Sequence, residues 1–173
     1  MNNTIRYIAL AIGFILLQCL ILNNVNLFNA IHPLLYIYLI IYFPIINNRF
    51  IINLLSFLYG LTIDIFCDSA GIHAAACVSL AYFRPVFLKL FFGMTYIHQV
   101  VKFKNIDIKQ NIFYVSSLTV FHHYVLFFIE VFDSSKLFLV FEKTFFTSIF
   151  TIILVLLLNI FLKKKWENLY YQF

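Results

Sequence analysis

The chain has 173 residues, of which 64% are hydrophobic, 20% aromatic and only 11% charged. A soluble protein carries roughly 25% charged residues. Because the mean hydropathy of +0.96 is spread over nearly the whole length, a separate soluble domain of about 50 residues or more is excluded. We therefore predict one integral membrane domain over residues 1–173, with an all-α, polytopic fold in contact with the lipid bilayer.

The net charge of +5 does not indicate a nucleic-acid partner. The basic residues lie in short connections between apolar runs, where lysine and arginine mark the cytoplasmic side of a membrane. Cys19, Cys67 and Cys77 show no CxxC spacing, so neither a zinc site nor a disulfide framework is predicted. We expect them to be small packing residues.

Apolar runs predict about six transmembrane helices, because a bilayer core of about 30 Å needs about 20 helical residues, and fewer where it is thinned. In chain order they are Ile5 to Leu22, Pro33 to Ile46, Phe50 to Phe66, Ile72 to Phe83, Ile112 to Ile129 and Phe145 to Leu162. The first ends without a small-residue cleavage motif, so we expect a retained helix. Pro44 should kink or end the second run. Arg84-Pro85 should end the fourth, because proline disfavours helix in the preceding residue.

The stretch between Pro85 and Gln110 stays open at this level. Phe87 to Phe92 has the composition of an interfacial helix. Residues 102–110 alternate polar and apolar side chains, which suits a strand, a loop or a surface segment.

The distribution of basic residues predicts six spans with both termini in the cytoplasm, since lysine and arginine in short loops favour that side. The cytoplasmic side then carries Arg6, Arg49, Arg84, Lys89, Lys102, Lys104, Lys109, Lys163, Lys164 and Lys165. Only Lys136 and Lys143 fall outside. A five-span arrangement would instead place one of the basic ends of the chain on the external side.

Ionisable residues gather between Gly60 and Arg84, and such residues near a bilayer core mark candidate functional positions. Gly60, Asp64 and Asp68 are spaced four apart, so on a helix they share a face, with the glycine at a site of close helix approach. With His73, the two acids could line an outward-facing polar pocket or a partner contact.

The alternative for this stretch is structural, and we favour it. Asp64 would accept hydrogen bonds inside the bundle, while Asp68 or Ser69 caps the fourth helix. A metal site built from Asp64, Asp68 and His73 matches no known ligand spacing, so no metal is predicted.

A second group lies in the fifth span, where Glu130 follows His122 and His123 and shares a helix face with His123. Such a row could relay protons or coordinate a ligand in the membrane. We favour neutral imidazoles that are hydrogen-bonded across helices, with Glu130 at the external interface. Neighbouring positions on a helix project about 100 degrees apart, so at most one histidine faces a given partner.

Arg84 is interpreted as an anchor whose aliphatic stem lets the guanidinium reach the cytoplasmic headgroups. The chain contains no nucleophile elbow, HExxH helix, Walker loop or dinucleotide fingerprint. We therefore expect neither enzymatic activity nor a cofactor.

The succession Gly60, Asp64, Gly71, His73, then an apolar run ending at Arg84-Pro85, resembles the rod-shape-determining MreD family in its Bacteroidetes-type form. The second half agrees, with the histidine pair and Glu130 in the fifth span, followed by an apolar sixth span. The likeness covers nearly the whole chain, and residues 93–110 match least.

This resemblance implies a fold similar to the substrate-binding subunits of energy-coupling-factor vitamin transporters. It implies a non-enzymatic inner-membrane scaffold of the cell-elongation machinery, which guides lateral peptidoglycan synthesis and cell shape. The implied partners are MreC and, through it, the MreB filament, the RodA synthase and the partner transpeptidase. The family's polar landmarks fall on Gly60, Asp64, Gly71, His73 and Arg84, and we assign these, with Asp68, His122, His123 and Glu130, to partner contacts or a pocket.

The alternative function is a small-molecule binder, such as the vitamin-capturing subunit of a transporter, with an outward pocket between the third, fourth and fifth spans. Such a subunit should retain its ligand after purification. A third class, an intramembrane enzyme, would have to use Asp64, Asp68 and His73, or His123 and Glu130.

Overall fold

The computed structural model describes residues 3–25, 32–43, 48–93 and 107–170, and these residues form helices and connecting turns without a β-strand. The helices are α1 (Asn3–Leu16), α2 (Ile37–Ile41), α3 (Arg49–Cys67), α4 (Ile72–Phe92), α5 (Ile108–Val131) and α6 (Leu137–Tyr170). A π-helical turn (Leu17–Ile21) and a 3₁₀ turn (Leu22–Asn24) extend α1, and a 3₁₀ turn (Ser134–Lys136) precedes α6.

Five helices of this structure are long and apolar enough to cross a membrane. Their bounds are Tyr7–Asn24, Arg49–Cys67, Ile72–Phe92, Ile108–Val131 and Leu137–Leu162. The predicted all-α polytopic fold is thus confirmed. The last two helices begin at Ile108 and Leu137, before the predicted Ile112 and Phe145. Polar residues 109–111 occupy the first turn of α5, and residues 142–144 interrupt the apolar sequence of α6, so both predicted runs begin after them.

The second predicted span has a different form, because only the five residues of α2 are helical among its described residues, 33–43. We call residues 33–43 the central segment. Its residues from Leu34 to Tyr42 are each at most 6% exposed. A run that is apolar on all sides is stable only when surrounded by protein or lipid, and here the other helices surround it. The predicted end of this span, Pro44 to Ile46, lies outside the described residues.

The central segment runs antiparallel to α1. Gln18 Nε2 donates a hydrogen bond of 3.1 Å to the Pro33 carbonyl. Towards the start of α1, the ring of Phe14 lies 5.4 Å from that of Tyr38, and the ring of Tyr7 lies 5.6 Å from that of Phe43. At 1.5 Å per residue, α1 rises about 16 Å between its first and last contacts with the segment.

Helices α1 and α3 end at the same side of the bundle, since Asn23 Nδ2 donates to Cys67 Sγ over 2.8 Å. The chain must therefore return between them, and the central segment provides that return. Over the described residues the chain thus passes six times between the two ends of the bundle, five times as a long helix and once as the buried segment. The sequence predicts about six transmembrane helices, and the described residues contain five that are long and apolar enough to cross a membrane.

Helix α4 continues through Arg84-Pro85 and ends at Phe92, followed by Gly93 with a φ of +78°. The predicted stop at this dipeptide is wrong. Proline removes one backbone hydrogen bond from a helix, but membrane helices tolerate it where neighbouring groups satisfy the freed backbone. Residues 87–92 therefore form the last turns of α4, with Leu88 and Phe92 buried, and not a separate interfacial helix.

Candidate functional site

Gly60 lies where α3 approaches α4 most closely. A Cβ atom at this position would lie 2.6 Å from Ala74 Cα and 2.7 Å from the His73 carbonyl oxygen. Both atoms belong to the backbone and cannot move aside without shifting α4. The predicted close helix approach at Gly60 is confirmed.

Asp64 lies one turn further along α3, and its carboxylate is bound by groups of the following turn and helix. It accepts hydrogen bonds from Ser69 Oγ at 2.6 Å, His73 N at 2.9 Å and Ala74 N at 2.8 Å. The amides of a helix's first turn lack partners within the helix, and a negative charge complements the helix dipole there. Asp64 thus caps α4 from within the bundle, and only 4% of its surface is exposed.

Asp68 and Ser69 do not cap α4 as predicted. Asp68 is exposed and ends α3 with a φ of 52°, and Ser69 donates to Asp64. The turn also holds Ala70 at a φ of 51° and Gly71 at 92°. A left-handed conformation costs a residue with a Cβ roughly 1–2 kcal/mol. The Asp64 hydrogen bonds stabilise this turn, whose last residue is a glycine.

Tyr36 of the central segment joins His73 of α4 to His122 of α5. Its hydroxyl lies 2.7 Å from His73 Nδ1 and 3.1 Å from His122 Nε2. A hydroxyl has one proton to donate, so one of the two nitrogens accepts from Tyr36 and the other donates to it. His122 Nδ1 is buried without a hydrogen-bond partner among the described residues.

The proton positions in this chain follow from the cost of a buried unpaired donor. A proton on His122 Nδ1 would be such a donor, so the favourable tautomer has the proton on Nε2. His122 then donates to Tyr36, and Tyr36 donates to His73. The donors thus point from the buried His122 of α5 towards the half-buried His73 of α4.

His123 has different partners from its neighbour, in line with the angular separation expected on a helix. Its Nδ1 lies 2.8 Å from the Thr119 carbonyl oxygen, and its Nε2 lies 3.2 Å from Thr151 Oγ1 of α6. A carbonyl only accepts, so Nδ1 carries the proton. In the neutral ring Nε2 then accepts from the Thr151 hydroxyl, which itself accepts from the Leu34 amide at 3.2 Å.

Glu130 lies apart from the histidines. Its Oε1 accepts from Lys143 Nζ of α6 at 2.9 Å, and the two side chains are 40% and 38% exposed. Lys143 also lies 5.6 Å from the centre of the Phe127 ring. Glu130 therefore pairs with a lysine at the end of the α5–α6 hairpin.

Arg84 is buried, with 3% of its surface exposed. Its Nε donates to the Tyr114 hydroxyl at 3.2 Å, and its Nη2 donates to the Phe43 carbonyl. Tyr114 in turn donates to the Ile41 carbonyl at 3.2 Å. The interpretation of Arg84 as a headgroup anchor is wrong, because the guanidinium points into the bundle and holds the end of the central segment.

The start of the central segment is held in the same way. Gln18 accepts from the Leu35 amide at 2.8 Å while its own amide donates to Pro33. Tyr59 of α3 donates to the Tyr36 carbonyl at 3.2 Å. Backbone that is not helical is tolerated at membrane depth only where such partners are supplied.

Sequence reasoning missed Tyr36 and the partners of the central segment, which are Gln18, Tyr59, Tyr114 and Thr151. A signal was present for Gln18, since a glutamine within an apolar run predicts an interhelical hydrogen bond. No comparable signal marks the tyrosines, because tyrosine is common in membrane helices and at their ends.

Asp64, Arg84, His122 and His123 thus each form hydrogen bonds with groups of the protein itself. Both carboxylate oxygens of Asp64 accept from its own chain. Over the described ranges, no three histidine, cysteine or acidic side chains are placed to hold a metal ion together. A set of side chains forms hydrogen bonds with the central segment and holds it in place, and we call this set the frame: Gln18, Tyr59, Arg84, Tyr114 and Thr151. Partner-contact roles for the predicted residues stay predictions.

Asp133, between α5 and α6, is a titratable group outside the spans. Hydrogen bonds from the Ser135 hydroxyl and amide, at 2.7 and 2.9 Å, lower the pKa of its carboxyl, and Lys136 adds a smaller effect. The feature belongs to the exposed turn and not to the frame.

Comparison with known proteins gave no match for this chain, either among protein-family models, among curated proteins or among solved structures.

Proposed function

We propose that this protein is a non-enzymatic, MreD-like scaffold of the bacterial cell-elongation machinery that holds MreC in the inner membrane. The observation that carries the proposal is the use of the polar landmarks within the fold. Asp64 and Arg84 each bind backbone groups of the protein itself. Side chains occupied in this way support a rigid frame for partners better than a reactive site.

The proposed orientation, with both termini in the cytoplasm, is supported by where basic residues lie along the helices. Arg49 begins α3, Lys89 is in the last turn of α4, and Lys109 is in the first turn of α5, so all three belong to one end of the bundle. Lys136 and Lys143 belong to the other end. The first end is the cytoplasmic one if lysine and arginine follow their usual preference.

The vitamin-binding alternative places its pocket between α3, α4 and α5. Tyr36 lies in this region, with hydrogen bonds to Tyr59, His73 and His122. This arrangement supports a scaffold, since a ligand there would have to displace Tyr36 from three partners.

The experiment is recovery of MreC with the tagged full-length protein from native membranes. We expect the wild type and Asp68→Asn to recover MreC, and Asp64→Asn to recover less, because only Asp64 fixes the α3–α4 turn. The two variants make the same chemical change four residues apart. Absence of MreC with the wild type would overturn the scaffold proposal. A small molecule retained in native mass spectra of that same preparation would favour the transporter subunit.

A further inference from the structure

The contact between α5 and α6 contains polar atoms that its hydrogen bonds do not explain. Thr119 Oγ1, His122 Nδ1, Thr144 Oγ1 and Ser148 Oγ are buried and have no hydrogen-bond partner among the described residues. All four belong to these two helices. Buried polar atoms nearly always have a partner, so a group of unpaired ones requires an explanation.

Two contacts fix how the antiparallel helices align. Lys143 Nζ lies 2.9 Å from Glu130 Oε1 near the exposed end of the hairpin, and Thr151 Oγ1 lies 3.2 Å from His123 Nε2 deeper in the bundle. Thr144 and Ser148 lie on α6 between these contacts. Each is one turn from the next, so Thr144 and Thr151 are about 10 Å apart along the axis.

The row continues on α5 beyond His123. Thr119 lies one turn before His123, and its backbone carbonyl accepts a hydrogen bond from His123 Nδ1. The ring of His122 lies 5.5 Å from that of His123. By this alignment, Thr144 and Ser148 lie between the partly exposed Glu130–Lys143 pair and the His123–Thr151 contact. Thr119 and His122 lie next to His123 on α5. We call Thr144, Ser148, Thr119 and His122 the polar row.

The chemistry of the polar row identifies its ligand. Hydroxyl groups both donate and accept, and His122 Nδ1 accepts or donates according to its tautomer. The row offers one imidazole and no carboxylate or thiolate, which is too few strong ligands to hold a divalent cation. Water can donate to His122 and exchange hydrogen bonds in both directions with the hydroxyls, and buried water in proteins typically makes two to four such bonds.

We propose that the polar row binds a file of water molecules that leads from the Glu130–Lys143 pair to His122 and His123. The water file gives protons of the aqueous phase access to the chain His122–Tyr36–His73. This inference does not depend on the proposed scaffold function, and recovery of MreC does not test it.

Magnetisation transfer from water protons to histidine side chains tests the proposal in the full-length protein. We suggest solid-state NMR in lipid bilayers of the protein labelled with ¹⁵N at histidine and ¹³C at the isoleucine methyl groups, with signals assigned by His122→Gln, His123→Gln and Ile153→Val. We expect transfer to His122 and His123 to be severalfold faster than transfer to the lipid-facing methyl groups of Ile153, which is 51% exposed on α6. Transfer as slow as that to Ile153 would overturn the proposal.

The row hydroxyls should control this transfer. In the double variant Thr144→Val, Ser148→Ala we expect severalfold slower transfer to both histidines, with the circular dichroism spectrum as the check that the protein is folded. The control is Thr62→Val, since the Thr62 hydroxyl is satisfied by the Leu58 carbonyl at 2.8 Å. Equal transfer rates in the double variant and the wild type would contradict a water file along this row.

Thermal unfolding tests independently whether the Ser148 hydroxyl binds water. A hydroxyl that binds structural water stabilises the fold, so Ser148→Ala should lower the midpoint of unfolding. A dry, unpaired hydroxyl destabilises it, so a midpoint that rises or does not change in Ser148→Ala would count against bound water.

Discussion

The Asp64 carboxylate of α3 lies 2.8 Å from the backbone nitrogen of Ala74 in α4, directly beside the site where Gly60 approaches that same residue. The carboxylate and the glycine thus act on one point of α4. The first binds the free amides of its initial turn, and the second lets the backbones come close enough for that bond.

Loss of the Asp64 charge should destabilise the protein. In Asp64→Asn we expect a loss of about 2 kcal/mol in the free energy of unfolding, because the amide NH₂ group faces backbone donors that then lack an acceptor. Denaturant titration in detergent, followed by circular dichroism, measures this loss. Asp68→Asn is the matched control and should change stability by less than about 0.5 kcal/mol, since Asp68 is exposed and asparagine tolerates its left-handed conformation. Equal effects of both variants would contradict the role of Asp64 as a cap.

Two glycines give opposite predictions for the same substitution. Gly60→Ala should cost about 1–3 kcal/mol, because its Cβ would overlap the backbone of Ala74. Gly13→Ala should stabilise by about 0.5–1 kcal/mol, because nothing lies within 4 Å of a Cβ there and alanine favours a helix. Unfolding midpoints measured side by side check both signs. If the two variants shift the midpoint in the same direction, the close approach is absent.

Tyr114→Phe should cost about 1–3 kcal/mol, since it leaves the Ile41 carbonyl and Arg84 Nε without their partner. Tyr82→Phe removes the same hydroxyl from a side chain that is 65% exposed and should be nearly neutral. The free energies of unfolding of the two variants provide the comparison. A neutral Tyr114→Phe would mean that this hydroxyl does not hold the central segment.

Tyr36→Phe removes the hydroxyl that links His73 to His122 through two hydrogen bonds. We expect the ¹⁵N shifts of both imidazoles to change, while those of His123, which bonds Thr119 and Thr151, stay constant. In the wild type the His122 spectrum should show the Nε2-protonated tautomer. A His122 signal that does not respond to Tyr36→Phe would refute the bridge.

The titration of Asp133 should depend on Ser135. Hydrogen bonds lower the pKa of the Asp133 carboxyl in the folded protein, so their stabilising contribution is present above the unfolded pKa. It is lost as the pH falls through the folded pKa. We expect Ser135→Ala to raise the pKa of Asp133 more than Lys136→Met does, measured by carboxyl ¹³C shifts against pH. The reverse order would show that Lys136 dominates.

The long helices could be predicted from apolar run length alone, and the Gly60–Asp64 spacing correctly indicated close helix packing. The form of the second crossing could not be predicted in this way. Pro33 to Ile46 has the composition of an ordinary span, and its short helix depends on acceptors and donors that other helices supply. Arg84 was misread for a related reason, since its position near a predicted helix end matched an anchor. Its two partners, the Phe43 carbonyl and the Tyr114 hydroxyl, are both 30 or more residues away in the sequence.

The separation of these partners along the chain has a consequence for biosynthesis. The Leu34 amide bonds Thr151, 117 residues later in the chain. When the central segment leaves the ribosome, the last helix has not yet been made, and the segment cannot be inserted in its final form. The segment reaches its final hydrogen bonds only after α6 has entered the membrane. The second crossing in sequence is therefore among the last to be completed.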